Sequence, residues 1–400
     1  MADEKGGAYC NEPARSLYPQ EQYMRVHPPT DKTIPNKRNP RLPDNDVSTQ
    51  RGKALFTSPE RFVSVSGGLR DLGELTSGVN LNQRAHFKGE WSMKQRSEHI
   101  WMNGAFVPWD DAKVHVLTHT LHYGSGAFEG VRAYETAEGP AIFRLPEHID
   151  RLIYSARALN MTIPWNRDQL IEAVVETVKK SGHPSCYIRP LVYYGYGKMG
   201  VNPIGNPVEV IIACWPWGAY LPHDMVDLKV SRFIRIHPRS TVADAKIVGH
   251  YVNSIMAVLE IQGTHYHEAL LLDSEGAIAE GPGENFFMIK GGAIVTPHLG
   301  TILPGITRKT IIEIARDLSI PVDERRISLE EAFSADEAFY TGTAAEVTPI
   351  RSIDDRVLGM GALGPITNQI KTAYLSAVRG EIARYEGYLT RVNSGHEKMR

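Results

Sequence analysis

The chain has 400 residues, of which 42% are hydrophobic and 22% charged, and its formal net charge is −2. This composition is typical of a globular protein with two domains, and the near-balanced charge gives no reason to expect a nucleic-acid partner. The sequence contains no apolar run long enough for a membrane span and no N-terminal apolar segment of a signal peptide. Its three widely spaced cysteines fit a reducing, cytoplasmic location.

The first 96 residues differ in composition from the rest. Seven of the 25 prolines fall within the first 50 residues, and apolar periodicity is absent there. Such a segment buries too little apolar surface to offset its conformational entropy, so we predict a disordered extension over 1–96. The early acidic residues Asp3 and Glu4 disfavour a transit peptide, and Met93 is an alternative start of the protein.

From residue 97 the chain alternates strand and helix patterns. The segment "HIWMNGAFVPW" predicts a hairpin that turns at Asn103-Gly104. Apolar periodicity then predicts strands over 126–136, 139–145, 186–197 and 207–217 and helices over 146–161 and 167–182. We expect these elements to form a small α/β domain over 97–214, followed by an interdomain loop over 215–225.

The second half predicts a larger domain over 226–390. It begins with the strand pattern "LKVSRFIRIHP", a turn of small residues that carries Lys246, and a helix from about Tyr251 to Gly263. Hairpins are predicted at 274–276 and 291–292, and a helix over 307–320. Most lysines are solvated surface charges, so Lys246 by itself indicates nothing more.

Two loops have the composition of anion sites. Gly305-Ile306-Thr307 lies directly before an amphipathic helix, where free backbone N–H groups and the helix dipole attract anions. The loop "YTGTAAEVTP" follows a strand and combines small residues with hydroxyls, as in a backbone nest. Taken alone, the first loop favours a plain N-cap by Thr307 and the second favours a tight turn.

Three further groups of polar residues lie beside apolar segments. Glu280 and Glu284 flank a Gly-Pro-Gly kink, and we expect at least one of them to be drawn inward. Arg189 lies in a buried-looking strand, which predicts an ion pair or a carboxylate clamp. The third group, His115, His119 and His122, has no acidic or cysteine partner nearby. Its small and β-branched neighbours predict extended chain, which disfavours a metal site.

Together these features suggest a phosphate-bearing carbonyl cofactor. Pyridoxal phosphate needs a lysine for a Schiff base, a carboxylate for its ring nitrogen and backbone N–H groups for its phosphate. An arginine then binds a substrate carboxylate.

From about residue 97 to about 390 the chain resembles the bacterial branched-chain amino acid aminotransferases, which are class IV (fold type IV) pyridoxal phosphate enzymes. The resemblance is carried by "WMNGAFVPWDDAKVHVLTHTLHYGSGAFEGVR", "YIRPLVYYGYGKMGVNP", "PWGAYL", "EGPGENFF", "LPGITR" and "TGTAAEVTPIRSID". It implies a mixed α/β fold of the D-amino acid aminotransferase type, with a small N-terminal domain, a larger C-terminal domain and the cofactor between them. The implied activity is reversible amino transfer between L-leucine, L-isoleucine or L-valine and 2-oxoglutarate, in branched-chain amino acid biosynthesis.

The resemblance also implies roles for individual residues. Lys246 matches the Schiff-base lysine, Glu280 the partner of the pyridine nitrogen, and Tyr251 the tyrosine near the phenolic oxygen. The implied phosphate site consists of Arg151, Ile306, Thr307 and Thr343. Helical periodicity disagrees about Arg151, because it places this side chain opposite the apolar face and predicts a solvated residue.

The implied substrate site uses both halves of the chain. Tyr187, with the backbone at Thr343 and Ala344, matches the site for the substrate α-carboxylate. Arg189 and Tyr220, with Tyr123 of a neighbouring subunit, match the grip on the second carboxylate of glutamate, which implies a homodimer or a larger homo-oligomer. Phe128, Trp217 and Val201 match the apolar pocket wall.

Two departures from the family pattern affect the expected substrate range. The chain reads "KIVGHY" where the bacterial enzymes have small, glycine-rich residues, and Lys198 stands where glycine is common. A D-amino acid or (R)-amine transaminase and an aminodeoxychorismate lyase share the fold and the lysine, but "YIRPL" and "PWGAYL" argue against them. A non-catalytic cofactor-binding protein is expected to lose Glu280 or the glutamate clamp, and this chain has both.

Overall fold

The computed structural model describes residues 96–393, except 219 and 222, and all of these fall within one compact unit. The predicted extension over 1–96 therefore lies almost wholly outside the described residues. Within the described part of the chain, no helix is both long and apolar enough to cross a membrane. The strands of this part form two sheets.

The first sheet begins with the predicted hairpin. Strands β1 (His99–Met102) and β2 (Ala105–Pro108) are joined by Asn103 and Gly104, whose φ values of 51° and 93° are those of a tight hairpin turn. The elements that follow are α1 (His119–Tyr123), β3 (Gly126–Phe128), β4 (Val131–Thr136), β5 (Gly139–Phe143), α2 (Leu145–Ala158), α3 (Arg167–Ser181), β6 (Cys186–Tyr194) and β7 (Val208–Trp215).

The first sheet is antiparallel, in the order β17-β5-β4-β6-β7-β1-β2, with β3 also paired to β6. Strand β17 (Leu389–Arg391) comes from the far end of the chain and pairs with β5. Helices α2 and α3 pack on this sheet through Ile149, Leu152, Leu170 and Val174, all of which are buried. Asn166 caps α3 with a capping box, which fixes where this helix begins.

The second sheet contains the remaining strands. Its region comprises β8 (Val226–Val230), α4 (Tyr251–Glu260), β9 (Glu268–Leu272), β10 (Ile278–Glu280), β11 (Asn285–Lys290), β12 (Ala293–Thr296), α5 (Ile306–Asp317), β13 (Val322–Glu324), α6 (Leu329–Phe333), β14 (Glu337–Gly342), β15 (Glu346–Ile353), β16 (Arg356–Val357) and α7 (Pro365–Val378). The order is β10-β9-β8-β15-β14-β11-β12-β13, and β16 pairs with β15. An extra pairing of β10 with β11, at Glu280 and Asn285, closes six strands into a ring.

Four element predictions are wrong in part. The single strand expected over 126–136 is two strands, β3 and β4, which are separated at 129–130. The strand expected over 228–238 ends at Val230, because the Ser231 hydroxyl and the Arg232 N–H bond to the Glu260 carboxylate instead of to a strand. Residues 119–123 form a short helix rather than extended chain. Helix α4 exposes Ile255 and Leu259, which its periodicity predicts to be buried. The proposed domain limits stay a prediction, although β17 joins the predicted larger domain to the first sheet.

Candidate active site

Lys246 lies in the turn between β8 and α4, and neighbouring groups fix its position. Its backbone N–H donates to the Ser155 hydroxyl at 2.9 Å, and its carbonyl accepts from the Phe128 N–H at 3.1 Å. Its Nζ donates to the Tyr251 hydroxyl at 2.5 Å and lies 4.9 Å from the centre of the Phe128 ring. Lys246 is therefore a partly buried, oriented amine rather than a solvated surface charge.

Glu280 ends β10 and is buried, with three donors on its carboxylate. Oε1 accepts from Arg235 Nε, while Oε2 accepts from Asn285 Nδ2 at 3.1 Å and from the Leu303 N–H at 3.0 Å. A carboxylate has about four acceptor positions. These three donors leave a position on Oε1 for one more N–H, as a protonated ring nitrogen would supply.

Lys246 and Glu280 line the same cavity. The turn 281–284 forms one wall, and Arg235, Tyr251 and His250 form part of the others. A primary amine and a hydrogen-bonded buried carboxylate thus face one space, although the sequence separates them by a helix and two strands.

The start of α5 adjoins this cavity, which Leu303 also lines. Gly305 is the N-cap and makes no side-chain capping bond, so Ile306 and Thr307 begin the helix beyond an uncapped N-terminus. A Cβ on Gly305 would clash with the Asn285 side-chain oxygen, which explains the glycine. Arg151 Nη1 donates to the Pro304 carbonyl at 2.9 Å, so its guanidinium lies beside this helix start.

Arg151 is buried, with 3% of its surface exposed, and the solvated position predicted from helical periodicity is wrong. The reason is the buried carboxylate of Glu129, which accepts two hydrogen bonds from the guanidinium. The ion pair with Glu129 therefore allows Arg151 to be buried although it lies opposite the apolar face of α2.

An aromatic wall connects the Lys246 turn to the first sheet. Arg189 Nη2 donates to the Tyr187 hydroxyl at 3.0 Å, and its guanidinium lies 4.6 Å from the Phe128 ring centre. Tyr187 stacks on Trp217 with ring centres 4.5 Å apart, and Trp217 lies parallel to Tyr220 at 6.3 Å. The predicted pocket-wall and clamp residues of the first sheet and the interdomain loop are therefore adjacent.

The turn that contains Thr343 and Ala344 joins β14 to β15. It is next to the cavity, because Gly342 packs so closely on the Gly283 carbonyl that a Cβ there would lie 3.3 Å from that oxygen. The Ala344 carbonyl accepts a long hydrogen bond of 3.5 Å from Arg132. Both residues thus lie near the cavity, and their predicted binding roles stay predictions.

Two predicted substrate residues lie apart from the cavity. Tyr123 is 45% exposed and Val201 is 85% exposed, each on a surface loop or short helix. Tyr123 packs on His119 with ring centres 4.5 Å apart. Their binding roles stay predictions, and that of Tyr123 involves a neighbouring subunit.

The departures from the family pattern have defined surroundings. His250 Nε2 lies 2.7 Å from the Thr241 hydroxyl, and burial, with the nearby Arg235 charge, lowers the pKa of His250 to about 4. The imidazole is therefore neutral at the cavity wall. Ile247 is buried and bridges to Ala127, whereas Lys198 is exposed in a loop that Asn206 braces through its side-chain amide. The change at Lys198 therefore lies at the surface of this chain.

Glu284, which lines the cavity, forms a buried carboxylate pair with Glu268, and each is 4% exposed. Because Glu280 is only 5% exposed, both glutamates of the Gly-Pro-Gly kink are buried. Burial, and then the charge of Glu268, raises the pKa of Glu284 well above its usual range. Burial raises the pKa of Glu268 to about 7 against a hydrogen bond from the Ala269 N–H. The sequence did not indicate Glu268, whose strand reads as an ordinary apolar run.

We expect Glu268→Gln to raise stability more at about pH 8 than near pH 5. The folded-state pKa of Glu268 lies above the ordinary value of 4.5, so its contribution to stability is present below that value and is lost as the pH rises through about 7. The difference in unfolding free energy between variant and parent, from urea titrations at both pH values, should grow by more than about 1 kcal/mol. An equal difference in unfolding free energy at both pH values would contradict the raised pKa of Glu268. The control is Glu176→Gln, on the exposed face of α3.

Comparison with known proteins now assigns the family. The family described as Amino-transferase class IV matches residues 126–353. The branched-chain-amino-acid aminotransferase of Pseudomonas aeruginosa is 47% identical over 305 residues, which is 75% of this chain and 99% of that relative. The chain belongs to the class IV aminotransferase family.

Solved structures agree with this assignment. The crystal structure of the T.th. branched-chain amino acid aminotransferase complexed with N-(5'-phosphopyridoxyl)-L-glutamate matches with a TM-score of 0.73 and 49% identity, over 74% of this chain and 99% of that one. The Escherichia coli branched-chain amino acid aminotransferase matches with a TM-score of 0.73 and 42% identity, over 74% of this chain and all of the other. The predicted mixed α/β, fold type IV architecture of this class IV aminotransferase is confirmed.

Proposed function

We propose that this class IV aminotransferase transfers amino groups reversibly between L-leucine, L-isoleucine or L-valine and 2-oxoglutarate, with pyridoxal phosphate bound at Lys246. The observation that carries the proposal is the shared cavity, in which the Lys246 amine and the Glu280 carboxylate face one space. Relatives that align with 75% of the chain are branched-chain-amino-acid aminotransferases, which supports the substrate class.

The residues present fit the cofactor. Glu280 keeps a free acceptor position for a ring N–H, and the uncapped start of α5 with Arg151 suits a phosphate. We assign Lys246, Tyr251 and Glu280 to the ring and Arg151, Ile306, Thr307 and Thr343 to the phosphate. Bound pyridoxal phosphate supplies a carbonyl that takes the amino group and a ring that accepts electrons from the substrate Cα.

Lys246 then moves the proton in the proposed reaction. With the cofactor bound, its Nζ would accept a proton from the substrate Cα and donate it to the cofactor's carbonyl carbon, and the second half-reaction would run the same two transfers in reverse. The Tyr251 hydroxyl, at 2.5 Å, orients this amine. The Glu280 carboxylate accepts hydrogen bonds from three donors, and its negative charge favours a positively charged ring nitrogen.

The proposed specificity arises from two surfaces that face one substrate position. The rings of Phe128 and Trp217, with Val201 of the proposed assembly, provide the apolar wall for an aliphatic side chain. Arg189, with Tyr220 and the partner's Tyr123, binds the second carboxylate of glutamate. Tyr187 and the backbone at Thr343 and Ala344 hold the α-carboxylate that both substrates share.

A half-reaction experiment tests this function. The purified holoenzyme is mixed separately with L-leucine, L-glutamate, D-alanine and a chiral (R)-amine, and the visible absorption of the bound cofactor is followed. We expect loss of the band with L-leucine and L-glutamate only. Loss with D-alanine or the (R)-amine alone would keep the fold and overturn the branched-chain assignment, and a band that no donor discharges would overturn amino transfer.

A homodimer is part of the proposal. Large apolar side chains are exposed over 114–123, 196–204 and 252–259. His119 bonds to the Gly200 carbonyl and Gly249 to the Gly124 carbonyl, so these segments form one continuous surface. Exposed apolar surfaces of this kind mark interfaces, and this one carries Tyr123, which needs a neighbouring chain to reach a cavity.

We expect the double change Leu121→Glu and Ile255→Glu to give monomers and to lower amino transfer at least about tenfold, because charges at an interface core oppose association. Size-exclusion chromatography with light scattering gives the mass, and the L-glutamate half-reaction gives the activity. Val357→Glu, at an exposed residue on β16, is the matched control. A double variant that stays dimeric would place the interface elsewhere.

The small-molecule substrates are the partners that this function implies, and a cytoplasmic location stays a prediction from the cysteine usage.

A further inference from the structure

A closed cluster of three polar residues lies beneath the proposed phosphate site. Glu129 is fully buried, and His148 and Arg151 are 2% and 3% exposed. Arg151 Nε donates to Glu129 Oε1 at 2.7 Å and Arg151 Nη2 to Oε2 at 2.9 Å. His148 Nδ1 lies 2.8 Å from the same Oε2.

The charges of this cluster follow from its contacts. Burial opposes ionisation of Glu129, but the Arg151 charge and the hydrogen bonds from His148 and Arg151 hold its pKa well below the usual range. Burial lowers the pKa of His148 in spite of the Glu129 carboxylate, so the imidazole is neutral near pH 7. An ionised carboxylate only accepts hydrogen bonds, so His148 carries its hydrogen on Nδ1 and donates it.

The guanidinium is held on two sides. Glu129 takes the edge formed by Nε and Nη2, and Nη1 donates at 2.9 Å to the Pro304 carbonyl, directly before the N-cap of α5. His148 is one turn from Arg151 on α2 and fixes the Glu129 carboxylate from its other side. The plane of the guanidinium is therefore set by side chains that do not themselves reach the helix start.

Charge and orientation act in opposite directions here. The Glu129 carboxylate offsets the positive charge of Arg151, which by itself weakens attraction for a phosphate. A guanidinium already fixed in its binding orientation loses less side-chain entropy when the anion binds. The fully satisfied, bidentate contact indicates that orientation is the larger effect.

We propose that Glu129 and His148 are positioning residues that hold Arg151 for the phosphate and so make the site select the phosphorylated cofactor. This inference rests on the proposed function, because it assumes that the anion at α5 is the cofactor's phosphate. Neither side chain needs to touch the cofactor.

The test compares pyridoxal phosphate with pyridoxal, which lacks the phosphate. Both attach to Lys246, so the ratio of their dissociation constants for apoprotein, from absorbance titrations, isolates the phosphate contribution. We expect Glu129→Gln to lower the preference for pyridoxal phosphate at least about tenfold, the effect of losing hydrogen bonds to a charged group, with pyridoxal affinity within about twofold of the parent. His148→Leu should act in the same direction, and His148→Asn, whose amide N–H can replace Nδ1–H, should restore most of the preference.

The outcomes separate this inference from the function. A parent that binds both compounds equally would overturn the phosphate site itself. A parent with a strong preference that every variant retains would overturn the positioning role, and a preference that rises in Glu129→Gln would show that charge outweighs orientation. Circular dichroism confirms folding, Glu176→Gln is the control, and the His148 pair decides the matter if Glu129→Gln does not fold. A folded His148→Asn variant that does not recover the preference for pyridoxal phosphate over pyridoxal would also overturn the inference.

Discussion

Replacing Lys246 by alanine should lower the rate of amino transfer at least about 10⁴-fold, because it removes both the group that binds the cofactor carbonyl and the base at the substrate Cα. The phosphate and ring contacts stay in place, so the variant should still bind pyridoxal phosphate, although more weakly. Stopped-flow absorbance with L-leucine and L-glutamate measures the rate, and the visible band of the lysine-bound cofactor should be missing from the start.

The matched control for this change is Lys179→Ala on the exposed face of α3, which should retain the parent rate with both donors. A Lys246→Ala variant that keeps the visible band would place the cofactor on another lysine. If L-leucine still removed the visible cofactor band of the Lys246→Ala variant, that result would likewise contradict the role of Lys246 as the base.

The change Glu280→Gln should reduce both stability and activity. It leaves the Arg235 guanidinium buried opposite a neutral amide, and breaking a buried pair in this way typically costs about 3–5 kcal/mol. It also removes the negative charge that favours a protonated ring nitrogen, so we expect the half-reaction to slow by about 10² or more.

Adding Arg235→Gln to Glu280→Gln separates these two effects. The double variant has a neutral pair, so most of the lost unfolding free energy should return in urea titrations. The rate should stay low, because the carboxylate is still missing. Recovery of the rate together with the stability would mean that Glu280 acts only through the fold.

The elements that the sequence predicted well are those with local determinants. The Asn103-Gly104 turn needs left-handed backbone, which asparagine and glycine supply. The capping box at Asn166 and the glycine at 182 fix both ends of α3. These local preferences act within a few residues and are visible without tertiary contacts.

The misplaced features depend on partners far along the chain. Arg151 is buried because Glu129 lies on a different element, and no helical period contains that information. Strand β8 ends earlier than predicted because the Glu260 carboxylate accepts a hydrogen bond from the Arg232 backbone N–H. Helix α4 exposes apolar residues in the single chain, so its periodicity describes a surface for which a second chain is the proposed cover.

The candidate site shows the same division. Lys246, Glu280 and the loop at Gly305 could be placed from motif and resemblance, because each lies in a distinctive segment. The residues that hold them, such as Arg235, Asn285 and His148, lie in segments without a motif and become evident only from hydrogen bonds in three dimensions. Of these three residues, Asn285 was the easiest to predict from the sequence, since it directly follows Glu284 in the segment "EGPGENFF".

Strand β17 gives the chain a constraint on the timing of its folding. Leu389 pairs with Phe143, about 250 residues earlier, so the edge of the first sheet is completed only after residues 389–391 have left the ribosome. Until then β5 presents an open edge that another nascent chain can pair with. Chains that stop before Leu389 therefore leave the edge of β5 uncovered, and we expect them to aggregate during synthesis.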